Sequence, residues 1–89
     1  MGIEELRKQI DSIDDQILAL LNERAKLVLK MGSLKKERGL PIHDPTRENS
    51  ILTRLQGKNK GPWDNESLVK LFEKIIEESR KLEDQTSEG

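Results

Sequence analysis

The feature that most constrains this chain is a stretch of about 36 residues, Ile3 to Arg38, with no proline and a single glycine, Gly32. Its apolar residues Ile3, Leu6, Ile10, Ile13, Ile17, Leu20, Leu21, Val28, Met31 and Leu34 recur at steps of three and four. That is the spacing of one face of an α-helix. Gly39, followed by Pro41, supplies the stop. At 1.5 Å per residue such a helix is about 54 Å long. A compact chain of 89 residues has a radius of gyration of about 12 Å and a diameter near 30 Å. The helix therefore overshoots any globule its own chain can build.

The remaining breakers fall in two clusters, at 39–45 (Gly39, Pro41, Pro45) and at 57–62 (Gly57, Gly61, Pro62). They outline two further helices. One starts at Asp44-Pro45, an N-cap followed by the residue favoured at the first helical position, carries Ile51, Leu52 and Leu55, and stops near Gly57. The other starts around Asp64 or Asn65 and turns Leu68, Leu71, Phe72, Ile75, Ile76 and Leu82 inward. A polar tail from Asp84 to Gly89 is expected to fray. The reading is an all-α domain over 1–84, with one long, one short and one medium helix, and a C-terminal tail over 85–89. Helices of roughly 14 and 20 residues cannot cover a 54 Å stripe. The economical cover is a second copy, so we expect an intertwined helical homodimer. The plainer alternative is a helical hairpin that docks on a larger partner.

Composition removes whole classes of chemistry. There is no cysteine and one histidine, His43, so disulfides, thiol nucleophiles and multi-histidine metal sites are excluded. The formal net charge of −1 gives no global field for nucleic acid. No apolar run approaches the roughly 20 residues of a membrane span. The opening MGIEELRKQI reads as neither signal nor transit peptide. The expectation is a soluble, cytoplasmic chain with no nucleic acid or membrane partner.

The informative residues are charges that interrupt apolar faces. On the first helix Arg24 and Lys35 lie on the inward row 17, 20, 24, 28, 31, 35. Eleven residues apart, they differ by about 20° in rotation and roughly 16 Å along the axis. Glu48 shares the stripe of the second helix, and Ser79 and Glu83 continue the inner row of the third. These groups either pair with one another in the core or hold a ligand. With Arg7 and Arg47 included, cations exceed the carboxylates Glu48 and Glu83, which calls for an anionic guest, a carboxylate or a phosphate. Arg7 is about 25 Å from Arg24 along the helix and roughly 100° round it. Arg7 is either a solvated first-turn arginine near Glu4 and Asp11 or, if the helix pairs antiparallel with its copy, the partner's contribution to that region. Gly32 is expected to permit close backbone packing, and Trp63 to lid the end of the bundle.

Five stretches carry a resemblance: Leu6-Arg7 followed by Ile10-Asp11-Ser12-Ile13-Asp14; Leu20-Leu21-Asn22-Glu23-Arg24; Gly32-Ser33-Leu34-Lys35; Asp44-Pro45-Thr46-Arg47-Glu48; and Leu71-Phe72 through Ile75-Ile76-Glu77-Glu78-Ser79. In this order and spacing the chain resembles the all-helical, AroQ-type chorismate mutases over residues 3–84. The resemblance implies three helices per chain in an intertwined dimer with two active sites. It implies an isomerase that turns chorismate into prephenate, the shikimate-pathway branch step towards phenylalanine and tyrosine. It also implies no cofactor and a small dicarboxylate as substrate.

Carried over by position, the resemblance implies that Arg24 holds one substrate carboxylate and Arg7 of the other subunit helps bind the dianion. Arg47 sits near the same carboxylates and Ser79 hydrogen-bonds one of them. Glu48 and the backbone at Asp44 receive the ring hydroxyl. Lys35 donates to the ether oxygen of the breaking C–O bond, with Glu83 beside it. An ionised Glu83 would repel that oxygen, so Glu83 is expected to act protonated. The catalytic set is thus Lys35, Glu83 and Arg24. An isochorismate pyruvate-lyase shares the fold and a cationic cavity. A prephenate- or chorismate-sensing regulatory domain, fused to or associated with a shikimate-pathway enzyme, is a third reading. The segment Lys60-Gly61-Pro62-Trp63 followed by Asp64-Asn65 looks like the fused versions.

Overall fold

The computed structural model describes residues 2–88. The order is α1 (Ile3–Arg38), α2 (Pro45–Lys58) and α3 (Asn65–Glu88). No strand occurs among the described residues. The boundaries follow local chemistry. Gly39, at φ 68°, closes α1 in the left-handed conformation. The Leu40 amide donates to the Lys35 carbonyl at 2.8 Å and the Gly39 amide to the Lys36 carbonyl at 3.3 Å. This double closure satisfies carbonyls that the helix end would orphan. The Asp44 carboxylate accepts from the Arg47 amide at 3.1 Å and caps α2 ahead of Pro45. Asp64 caps α3 through the Ser67 amide at 2.7 Å. That hydrogen bond holds the Asp64 carboxyl below the usual carboxylate range. Asn59 braces the α2–α3 turn, donating to the Trp63 carbonyl and accepting from the Gly61 amide.

The structure carries α3 on to Glu88, past the point where the polarity of the tail suggests it ends. No glycine or proline lies between Asp84 and Glu88 to stop it; Gly89 lies outside the described residues.

Both α1 and α2 pack on α3, while α1 and α2 leave a gap between them. The molecule measures 54 × 26 × 15 Å, with a radius of gyration of 16.1 Å. Its longest dimension is therefore the length of α1. The apolar core is small: Ile51 and Ile76 are the buried hydrophobic residues among those described, with Gly32 buried on α1. Elsewhere the expected inner face lies open. Ile3, Ile10, Ile13, Ile17 and Leu20 are between 47% and 69% exposed. Every described residue of α1 before Arg24 is exposed. Trp63 is 60% exposed and lids nothing within one chain. Short α2 and medium α3 run out before α1 does.

Two glycine substitutions should move stability in opposite directions. A Cβ at either Gly39 or Gly57 would meet open space, so conformation alone decides. Gly39→Ala forces a side chain into positive φ and should cost about 1 kcal/mol. Gly57→Ala, in the last turn of α2, should gain about 0.5–1 kcal/mol. Urea-unfolding midpoints of the two variants check the signs.

Candidate active site

The gap between α1 and α2, floored by α3, is a cavity of ≈ 460 Å³, within the range of small-molecule sites. Its apolar walls are Leu27, Val28, Met31, Ile42, Ile51 and Ile76. Seven of the eight site residues expected from sequence converge on it: Arg24, Lys35, Asp44, Arg47, Glu48, Ser79 and Glu83. Each helix contributes because each carries a polar group where its apolar stripe should continue.

Lys35 and Glu83 form the tightest charged contact. Lys35 Nζ donates to Glu83 Oε2 at 2.8 Å and to the Ile42 carbonyl at 3.1 Å. Their side chains are only 16% and 12% exposed. The closure at Gly39 turns the chain back over α1, which brings the Ile42 carbonyl within reach of Lys35. Arg24 is oriented from α3: its Nη1 donates to Ser79 Oγ, which in turn donates to the Ile75 carbonyl at 2.7 Å. Desolvation by burial pushes the Arg24 guanidinium below its ordinary pKa, and the neighbouring Arg47 charge adds to this, while Glu83 opposes both. Arginine stays protonated regardless.

Arg7 stands apart. It is exposed on the first turns of α1, paired with Glu4 at 2.7 Å, and lines no part of the cavity. Arg80 is not anticipated from sequence. It lines the cavity from α3 and puts Nε 3.2 Å from Glu48 Oε2. It follows Ser79 directly, off the row that singles out Ser79 and Glu83, and one helical residue turns through 100°. Only its partner Glu48, on another helix, marks it. His43, 58% exposed, stands 3.8 Å from the same Glu48 oxygen. Within the cavity, Arg24, Lys35, Arg47 and Arg80 face Asp44, Glu48 and Glu83, a surplus of one positive charge per chain. Among the described residues no group of His, Asp or Glu is arranged to hold a metal ion. None of the helices is long and apolar enough to cross a membrane.

A family model for chorismate mutase type II matches residues 6–84. The chain belongs to the type II chorismate mutase family. A chorismate mutase from Methanocaldococcus jannaschii is 37% identical over 84 residues, covering 93% of this chain and 85% of that protein. A bifunctional chorismate mutase/prephenate dehydratase from Aquifex aeolicus is 45% identical over 85 residues, 91% of this chain but 24% of that protein. The chain thus spans about a quarter of the bifunctional relative's length. Among solved structures, a chorismate mutase from Thermus thermophilus superposes with a TM-score of 0.91 at 44% identity, covering 92% of this chain and 93% of that one. The Helicobacter pylori mutase, solved in complex with prephenate, superposes with a TM-score of 0.87 at 32% identity, covering 94% and 91%.

The Lys35–Glu83 pair gives a stability test. Lys35→Met leaves an enclosed carboxylate without its counter-charge and should destabilise the chain by about 1–3 kcal/mol. Combining it with Glu83→Leu should recover part of that loss, because no charge is then stranded. Urea unfolding of both variants measures the difference.

Proposed function

We propose that the chain rearranges chorismate to prephenate in a cavity completed by a second copy of itself. The observation that carries this reading is the charge imbalance around Arg24 and Lys35. One chain offers a surplus of one positive charge in the cavity, and a dicarboxylate brings two negative ones. A fifth cation has to arrive from outside the chain. Arg7, roughly 25 Å from Arg24 along α1, fits that need from an antiparallel partner. The same partner would cover the exposed stripe of α1, including Ile10, Ile13, Ile17 and Leu20.

The chemistry asks little of side-chain reactivity. In a [3,3] rearrangement the ether C–O bond breaks while a C–C bond forms within one molecule, so no nucleophile or external electron source takes part. The site must hold the enolpyruvyl arm folded over the ring and stabilise negative charge growing on the ether oxygen. Arg24, oriented by Ser79, would take one carboxylate, with Arg47 and the partner copy's arginine completing the dianion site. Glu48 and the backbone at Asp44 would receive the ring hydroxyl. An ammonium has three donors. Glu83 and Ile42 occupy two on Lys35, which leaves the third for the ether oxygen. Glu83, 2.8 Å from Lys35 Nζ, would hold that ammonium in place beside the ether oxygen. An associated or fused prephenate-consuming enzyme, as in the bifunctional relatives, and a cytoplasmic setting belong to the same reading.

The test is loss of chorismate absorbance with prephenate identified as product. Lys35→Ala should lower kcat about 100- to 1000-fold. No turnover by folded, dimeric wild type would contradict the proposal, and pyruvate released from isochorismate would point to the lyase instead.

A further inference from the structure

Arg80 is the charged group on the cavity wall that the roles above leave unused. Its Nε is enclosed from solvent and has no hydrogen-bond partner, yet it lies 3.2 Å from Glu48 Oε2. The contact is therefore Coulombic and imperfectly aligned. It joins α2 to α3 on the cavity wall. Glu48 is 22% and Arg80 39% exposed, so water screens the pair in part. His43 approaches the same oxygen but at 3.8 Å and largely in solvent, where such a pair contributes little.

A carboxylate has two oxygens and about four acceptor positions. The Arg80 and His43 contacts both fall on Oε2, which leaves Oε1 for a donor in the cavity. We infer that Arg80 is a positioning residue: it holds Glu48 by Oε2 so that Oε1 is presented to the substrate's ring hydroxyl. The inference rests on the mutase reading above and extends it to a residue that acts through Glu48. Because a hydroxyl is held in both ground and transition states, losing Arg80 should weaken binding more than the chemical step.

The experiment is a double-mutant cycle on Arg80 and Glu48 in the full chain, assayed with chorismate. Arg80→Ala should raise KM about 10-fold with kcat changed less than about threefold, and Arg80→Lys should restore part of the loss. In the Glu48→Gln background, Arg80→Ala should change kcat/KM less than about twofold. Arg80→Met, which keeps most of the side chain's bulk, is run beside Arg80→Ala, with helix content and oligomer mass recorded for each. It should match the alanine variant, because charge and not packing is at issue. Losses that add across the cycle, as direct contact between Arg80 and a substrate carboxylate would give, overturn the inference and leave the mutase reading standing. Full activity of Arg80→Met also overturns it. A wild type that does not rearrange chorismate overturns both.

Discussion

The constraint on which the structure turns is the length of α1. A 36-residue helix about 54 Å long cannot bury its apolar face against two shorter helices. Everything else follows from that mismatch. The core of one chain shrinks to the neighbourhood of Ile51, Ile76 and Gly32. The gap between α1 and α2 remains as a cavity. A single chain looks half-built because, on the proposed reading, its stabilising surface lies on another molecule, so folding and site assembly become one event.

Within the cavity the same incompleteness reappears as charge. Arg24 is shifted below its ordinary pKa first by burial and then by the neighbouring Arg47 charge, while Glu83 opposes both. Lys35, by contrast, is held by Glu83 and by the Ile42 carbonyl. The two inward cations on α1 thus have different standing. On the proposed reading one is left for a substrate carboxylate, while the other is already anchored and keeps a donor to spare. That division suits a reaction whose transition state needs a fixed donor at one oxygen and a firm hold on two carboxylates.

Most of this is legible in the sequence because it depends on period and punctuation. The limits of α1 and the start of α2 follow from Gly39, Asp44 and Pro45, whose local chemistry is self-contained. Arg24, Lys35, Glu48, Ser79 and Glu83 are visible as polar residues at apolar positions of a helical row. The misses have physical causes. Arg80 lies off that row and gains meaning only from Glu48 on a different helix, a tertiary relation that no spacing along α3 encodes. The polarity of the tail suggests an early end to α3, but polarity alone does not stop a helix, and Gln85 to Glu88 holds no breaker. Trp63, after Gly61-Pro62, suggests a lid, but one chain alone gives it nothing to cover.

The central claim is that each cavity is completed by Arg7 of a second copy, and mixing two inactive variants tests it most directly. Arg7→Ala leaves every residue of its own cavity in place, and Lys35→Ala leaves its own Arg7 in place. If sites are shared, co-refolding the two in equal amounts creates mixed dimers with one intact site and one doubly damaged site. Random pairing then predicts recovery of about a quarter of wild-type activity. Activity no greater than the sum of the separate variants would show that each chain supplies its own Arg7, or that Arg7 takes no part, and would contradict the account.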